Sequence, residues 1–316
     1  MEFRLCWCTV PHPYWLEKQI KRATVQDMSN DDNSALNRRD VRRRFDRAAA
    51  EFDTVDFVHA TTRRGLMDRL TPVVIHPRTI VDLGAATGSA TRALAKNFRR
   101  ARVIAVDLSW NMLEQARKKQ RWLSRVTTLQ ADATALPIVD QSVDIVFSNQ
   151  LLPWVGDPAQ TFSEVSRVLV KDGLFLFATL GPDSLSEIRR AWASLDSDVH
   201  VNLFPDMHDI GDAAVRAGLR DPVLDVDRLA VTYKDTRALF RELTAMGARN
   251  SLLHRNRSLA AAKRFQAMAA ALDNTRDGGP LTLELEIVYG HCWGSGARSV
   301  DGEFRVAANR ISVRNT

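Results

Sequence analysis

Cysteine is scarce: Cys6, Cys8 and Cys292 are the three in 316 residues. So odd and sparse a set is no disulfide framework. Cys6-x-Cys8 with His12 nearby is half a metal site, but no second ligand pair follows at zinc-like spacing, so no metal is expected. Long apolar runs are missing too. None approaches the ~18 residues that cross a bilayer, and the opening MEFRLCWCTVPHPYWLEKQ lacks the uninterrupted apolar stretch of a secretion signal. Internal repeats and low-complexity blocks are absent. These absences point to a cytoplasmic protein that works away from the membrane.

What is present fits a globular chain, with 45% apolar and 26% charged residues and enough length for one large domain or two small ones. The net charge of +6 and isoelectric point near 9.5 suit an acidic partner or substrate. Arg38, Arg39, Arg42, Arg43, Arg44 and Arg47 crowd into LNRRDVRRRFDRAAAEFD, whose helical spacing puts Phe45, Ala48, Ala49 and Phe52 on the apolar side. This helix is either a solvated face balanced by Asp40, Asp46 and Glu51 or a docking surface. Residues 1–35 show no sustained period and read as a loosely ordered extension, within which Met28 is an alternative translation start.

From Thr79 the chain alternates. TIVDLG, RVIAVDLS, VTTLQADA, VDIVFSNQ and GLFLFATLG are β-branched, apolar runs that read as buried strands. Between them SATRALAKNF, WNMLEQARKKQ and DPAQTFSEVSRVLVKD have helical spacing, the last with Asp157 as N-cap, Pro158 at the first helical position and Gly173 just past its end. Further on, helical DMHDIGDAAVRAGL, extended PVLDVDRLAVTY, helical KDTRALFRELTAMGA ending near Gly247, helical SLAAAKRFQAMAAAL and a final, edge-lying strand LTLELEIVYGH complete the pattern. The expectation is an α/β protein with one seven-stranded, mostly parallel sheet and helices on both faces.

The stretch IVDLGAATGSATRALA carries the first chemistry. A loop between a first strand and a helix N-terminus aims backbone N–H groups at a polar cofactor, and glycine permits close approach. Asp107 ends the second strand about 25 positions after Asp82, near the offset at which a carboxylate meets a ribose diol. Asp132 ends the third, followed by small Ala133, a pair suited to an adenine edge. Carboxyl ends of consecutive parallel strands face the crevice where open α/β sheets bind ligands.

The series DLGAATG, VDLS, ADA and SNQLLPWV resembles the class I S-adenosylmethionine-dependent methyltransferases, whose first motif is commonly D-x-G-x-G-x-G. Here it is Asp82, Gly84, Ala86 and Gly88, and alanine at the middle position requires Ala86 to keep a negative φ. A nicotinamide-binding Rossmann reading fits less well, because Gly84-x-x-x-Gly88 is not G-x-G-x-x-G. The resemblance implies S-adenosyl-L-methionine as cofactor, S-adenosyl-L-homocysteine as product, and contacts from Ala85, Leu108, Met112 and Asn149 in addition. Phe52 stands where that group often has tyrosine.

Beyond the cofactor half, RRRFDRAAAEFD, the stretch from SNQLLPWVGDP to EIRRAW, FPDMHDIGDAAVRAGL, GARNSLLHRNRSL and IVYGHCW resemble the malonyl-acyl-carrier-protein O-methyltransferases of biotin synthesis, over roughly residues 38–293. The resemblance implies a domain spanning 36–293, with a cofactor half at about 36–181 and a substrate-side half at 182–293, and the polar, basic composition of 294–316 predicts a disordered tail. It also implies malonyl-acyl carrier protein or malonyl-CoA as partner, no nucleic acid, and a monomer. A carboxylate is already ionised at pH 7, so orientation rather than a general base would drive the transfer. Arg249, Arg255 and Arg257 are candidates for holding the acceptor carboxylate, and Trp154 for walling its pocket. Mitochondrial complex I assembly methyltransferase-like proteins share the Gly247, Asn250 and Arg255 set, so an assembly factor or hydroxylase-like protein stays open, as does a small-molecule carboxyl or quinone methyltransferase. A nucleic-acid amine acceptor is disfavoured, because SNQLLPW lacks the Asn/Asp-Pro-Pro-aromatic motif.

Overall fold

The computed structural model describes residues 36–120, 124–253, 260–276 and 278–296. The strands are β1 (Thr79–Leu83), β2 (Arg102–Asp107), β3 (Val126–Gln130), β4 (Val143–Asn149), β5 (Leu169–Leu180), β6 (Leu219–Tyr233) and β7 (Leu281–Gly294). They form one sheet in the order β3-β2-β1-β4-β5-β7-β6, with β1 to β5 parallel and β7 antiparallel to both of its neighbours. The edge place expected for LTLELEIVYGH belongs to β6 instead. The polar alternation that suggested an edge is confined to the first half of β7, whereas Ile287–Tyr289 are buried on both faces between β5 and β6.

The helices are α1 (Arg38–Ala48), α2 (Phe57–Leu70), α3 (Ser89–Asn97), α4 (Trp110–Lys118), α5 (Pro158–Val168), α6 (Ser186–Ala193), α7 (Met207–Arg216), α8 (Thr236–Ala245) and α9 (Ala260–Asp273). Asp157 caps α5 by accepting from the Ala159 N–H. The helix stops at Val168, however, and Gly173 lies inside β5, because Asp172 takes a left-handed turn (φ 61°) that brings the chain straight back into the sheet. Helix α2 has no clean apolar stripe in the sequence, since Thr62 interrupts the Val58, Leu66 and Leu70 face. Its buried hydroxyl donates to Val58 O at 3.1 Å and to Asn149 Oδ1 at 2.8 Å, so the polar group is met.

Alternation sorts the strands' side chains onto two cores. Ile80, Ile145, Phe147, Leu174 and Leu176 face α2 and α3, while Val81, Val146, Phe175 and Phe177 face α5 and α7. Phe162 of α5 packs edge-on against Phe175 with ring centroids 5.8 Å apart. At Gly290 of β7 the sheet needs a missing side chain, because a Cβ there would run into the buried Phe177 ring. Overpacking of this kind costs more than the ~0.5–1 kcal/mol alanine gains over glycine in a strand. Gly290→Ala is therefore expected to lower stability by about 2 kcal/mol in chemical denaturation, and an unchanged midpoint would show that Phe177 has room to retreat.

Candidate active site

Strand order reverses between β1 and β4, so the connections leaving their carboxyl ends diverge and leave a crevice. An open cavity occupies it. Its floor is Leu83, Gly84, Val106 and Leu108, and its roof comes from Arg38, Val41 and Phe45 of α1 with Phe52 and His59. Trp154, in the short turn Leu152–Trp154 after β4, closes one side and meets Phe45 edge-on at 5.2 Å.

The loop after β1 alternates left-handed residues, at Gly84 (φ 80°), Ala86 (φ 45°) and Gly88 (φ 77°). Ala86 thus departs from the negative φ its side chain would choose. It is held there by its N–H, which donates to Asp107 Oδ2 at 2.9 Å. The N–H groups of Gly84 and Ala85 donate to Val106 O, and that of Gly88 to Ala85 O. The expectation that these backbone donors face a ligand is therefore corrected: the loop supplies shape, and the carboxylates behind it supply polarity.

Asp107 accepts from Ala86 N–H and, at 2.8 Å, from Ser109 N–H, which leaves further lone pairs toward the cavity it lines. Burial raises its pKa to about 6 against those hydrogen bonds. Asp82 sits one layer deeper, accepts from Thr91 Oγ1 at 2.5 Å, and is pushed to about 7 by burial, with the charge of Asp107 adding to the effect. Asp132 is partnered by Arg38 of α1 and by the Thr134 N–H and hydroxyl.

Of the residues singled out from the sequence, Phe52, Gly84, Ala86, Asp107, Leu108, Asp132, Ala133, Asn149 and Trp154 line this cavity. Asp82, Ala85, Gly88 and Met112 do not. Asp82 ties β1 to α3, Gly88 lets α3 approach Ala116, and Met112 fills the space beneath Phe52 and Ala86. Asn149 commits both ends of its amide to α2, donating to His59 O and accepting from Thr62 Oγ1.

A second open cavity adjoins the first and is mostly apolar. Trp192, Phe204, Tyr233, Phe240 and Phe265 line it, with Asn250 and Arg249 among its polar groups. Arg249 donates to Thr244 Oγ1 at 2.7 Å and lies over the Phe240 ring at 5.9 Å. Arg255 and Arg257 lie outside the described residues. His59, Gln150 and Trp154 belong to the walls of both cavities. Sequence reading missed His59, because its helix was not visible, and Gln150, because glutamine gives no sign of a left-handed turn. Arg38 was read only as part of a basic face. Among the described residues one cluster gathers three potential metal ligands, Asp196, Asp198 and His200. Arg264 already stands 3.6 Å from Asp196 and 3.8 Å from Asp198, balancing their charge.

This sheet order, with a glycine-bounded loop after β1 and carboxylates at the end of β2 and just past β3, defines a class I S-adenosylmethionine-dependent methyltransferase. The methyltransferase domain model matches residues 81–177. A protein of Halorhodospira halophila named malonyl-acyl-carrier-protein O-methyltransferase is 40% identical over 293 residues, covering 91% of this chain and 99% of its own. A protein of the same name from Laribacter hongkongensis is 40% identical over 266 residues, 82% of this chain and 90% of its own. The YcgJ protein of Bacillus subtilis shares the fold, with a TM-score of 0.54 at 19% identity over 73% of this chain and 97% of its own. The chain belongs to the malonyl-acyl-carrier-protein O-methyltransferase family. Among its described residues no helix is long and apolar enough to cross a membrane.

A left-handed alanine costs ~1–2 kcal/mol, and glycine returns ~0.4–1 kcal/mol of that as unfolded-state entropy. Ala86→Gly is expected to raise stability by up to about 1 kcal/mol in denaturant titration. A comparable loss would mean that the methyl's packing with Phe52 and Met112 outweighs the backbone cost.

Proposed function

We propose that this chain transfers the methyl group of S-adenosylmethionine to the free carboxylate of a malonyl thioester carried on acyl carrier protein, forming the methyl ester that opens biotin synthesis. The observation that carries this reading is the pair of adjoining cavities, one polar-ended at the strand termini and one apolar, with a common wall at His59, Gln150 and Trp154. The first suits the cofactor. Asp107 offers open lone pairs to a diol, Leu108 and Ala133 give the wall an apolar stretch suited to a purine, and with Arg38 paired to Asp132 the carboxylate of Asp107 suits a cationic ligand. When bound, S-adenosylmethionine supplies an electrophilic methyl group.

The residues' own task is orientation and exclusion of water. A carboxylate with reference pKa near 4 needs no general base at pH 7, and holding two reactants in line contributes up to ~7–11 kcal/mol. Trp154 and Phe45 seal the junction, and Phe52 closes over the loop where related chains place a hydroxyl. The apolar second cavity accepts the thioester and its pantetheine arm. Arg39, Arg42, Arg43 and Arg47 remain exposed on α1 above the site and suit an acidic carrier protein meeting a monomeric, cytoplasmic enzyme by salt-sensitive encounter. Ala86, the departure that pointed toward a non-methylating assembly factor, keeps a strained left-handed backbone, but the relatives that match most of the chain are named for the malonyl-acyl-carrier-protein reaction and favour the methyltransferase reading.

Incubation with labelled S-adenosylmethionine and malonyl-acyl carrier protein, malonyl-CoA, free malonate or acetyl-carrier protein is expected to label the malonyl thioesters alone, with the methyl ester found by mass spectrometry. Label on free malonate in preference would assign a small-molecule carboxyl methyltransferase. Asp107 is protonated more readily folded than unfolded, so its ionisation costs the free protein stability as pH rises from about 4 through 6. A ligand held by the ionised form lowers that pKa and binds more weakly as pH falls below about 6. S-adenosylhomocysteine affinity is expected to drop several-fold between pH 7.5 and 5 by calorimetry, and Asp107→Asn to flatten the profile while weakening binding by about 1.5–3 kcal/mol.

A further inference from the structure

Among the described residues, two buried nitrogens stand without partners where the cavities meet. Gln150 is 6% exposed, and its Nε2 has no hydrogen-bond partner. The same holds for Nδ1 of His59 on α2. Both side chains line both cavities. With the proton of the neutral imidazole assigned to Nδ1, both are donors, and buried donors are met in folded proteins, so a pair left open at one boundary marks the place of a missing acceptor.

Gln150 carries a second anomaly. Its φ of 60° is left-handed, while its N–H is fixed to Ala178 O at 2.8 Å. Glycine or asparagine would make this turn with less strain, so the backbone gives no reason for glutamine here. Strain kept at a non-glycine residue beside a ligand cavity is the pattern of a side chain retained for what it reaches.

We propose that the Gln150 Nε2–H and the His59 Nδ1–H together hold the carboxylate that receives the methyl group, presenting it to the cofactor cavity by two uncharged donors. This rests on the reading that the acceptor is a carboxylate. In the reaction a carboxylate oxygen forms a bond to the methyl carbon as the carbon–sulfur bond breaks, and the bonding pair stays on sulfur. An anion and a cation disappear together, and no proton moves.

That charge change decides which donors serve best. An arginine paired with the attacking carboxylate would hold it most tightly before reaction and lose that attraction in the transition state, where the negative charge is already falling. Neutral donors fix direction and sacrifice less. His59 suits the role because burial pushes its pKa below the ordinary value, against an opposing effect of Asp56, keeping the imidazole neutral. The Phe52 ring, 5.1 Å from the imidazole, packs beside it. Arg249 lines only the second cavity and is engaged with Thr244 and Phe240, away from this junction.

The test uses Gln150→Gly and Gln150→Asn, both suited to the left-handed turn, beside His59→Leu and His59→Asn, the last returning a donor near Nδ1. Losing one hydrogen bond to a charged group corresponds to ~10- to 100-fold, so kcat/KM for malonyl-acyl carrier protein is expected to fall by about that factor in the Gln150 variants and in His59→Leu. His59→Asn should recover much of the loss. S-adenosylhomocysteine affinity is expected to stay within about twofold and thermal stability not to fall in Gln150→Gly. If affinity for S-adenosylhomocysteine falls in step with turnover, the donors hold the cofactor's own carboxylate and the proposal is overturned. Wild-type activity on malonyl thioesters with unaffected variants sinks this inference alone, whereas a wild type that ignores malonyl thioesters sinks the acceptor assignment with it.

Discussion

The reversal of strand order between β1 and β4 is the constraint on which the rest of the molecule depends. Parallel strands that share a sheet send their connections off at the same end, and at the reversal those connections part to opposite faces. Neither helix can then cover the carboxyl ends of β1 and β4. The fold closes the opening with α1, a helix from outside the alternating pattern. Asp46 of α1 accepts from Ser109 Oγ at 2.6 Å, while the Asn37 N–H that precedes α1 donates to Ser251 O at 2.8 Å. Gly247 lets the α8 terminus approach α1 closely, since a Cβ there would press on Phe45 and Ala48.

Charge inside the crevice follows from the same geometry. Asp82 and Asp107 lie at the carboxyl ends of neighbouring strands, with Asp82 deep and Asp107 at the cavity, and among the described residues neither has a basic partner in direct contact. Hydrogen bonds from Thr91, Ala86 and Ser109 offset only part of the desolvation, which is why both pKa values rise toward neutrality. A site in this condition gains from a positively charged ligand more than an already neutralised one would. Catalysis by orientation fits this arrangement, since proton transfer has no part in the reaction.

Most of this was legible in the sequence because it depends on local signals. The continuous β-branched, apolar runs of β1, β2, β4 and β5 announce buried strands, and Asp107 and Asp132 are found by their places at strand ends. What was hidden depends on tertiary contact. Helix α2 could not be seen because Thr62 breaks its apolar face, and the hydrogen bond that satisfies Thr62 comes from a residue 87 positions away. The interior place of β7 was hidden because its polar first half imitates an edge. Ala86 was misjudged because its φ is set by a hydrogen bond to Asp107, a partner from another strand. His59 carries no motif, and Gln150, though inside SNQLLPWV, was not singled out there. Only the meeting of two cavities distinguishes them.

The attachment of α1 has a consequence for turnover. One end of this helix is fastened beside Ser251, on the acceptor side, and its other end beside Ser109, on the cofactor side. The Asp53 carboxylate just beyond it is fastened to Thr87 in the cofactor loop, at 2.5 Å. Helix α1 therefore roofs the first chamber alone, since none of its residues lines the second, yet one of its fastenings, at Ser251, lies outside that chamber. Any exchange of cofactor through this roof works against contacts made elsewhere in the fold, so substitutions distant from the cofactor can register in its release.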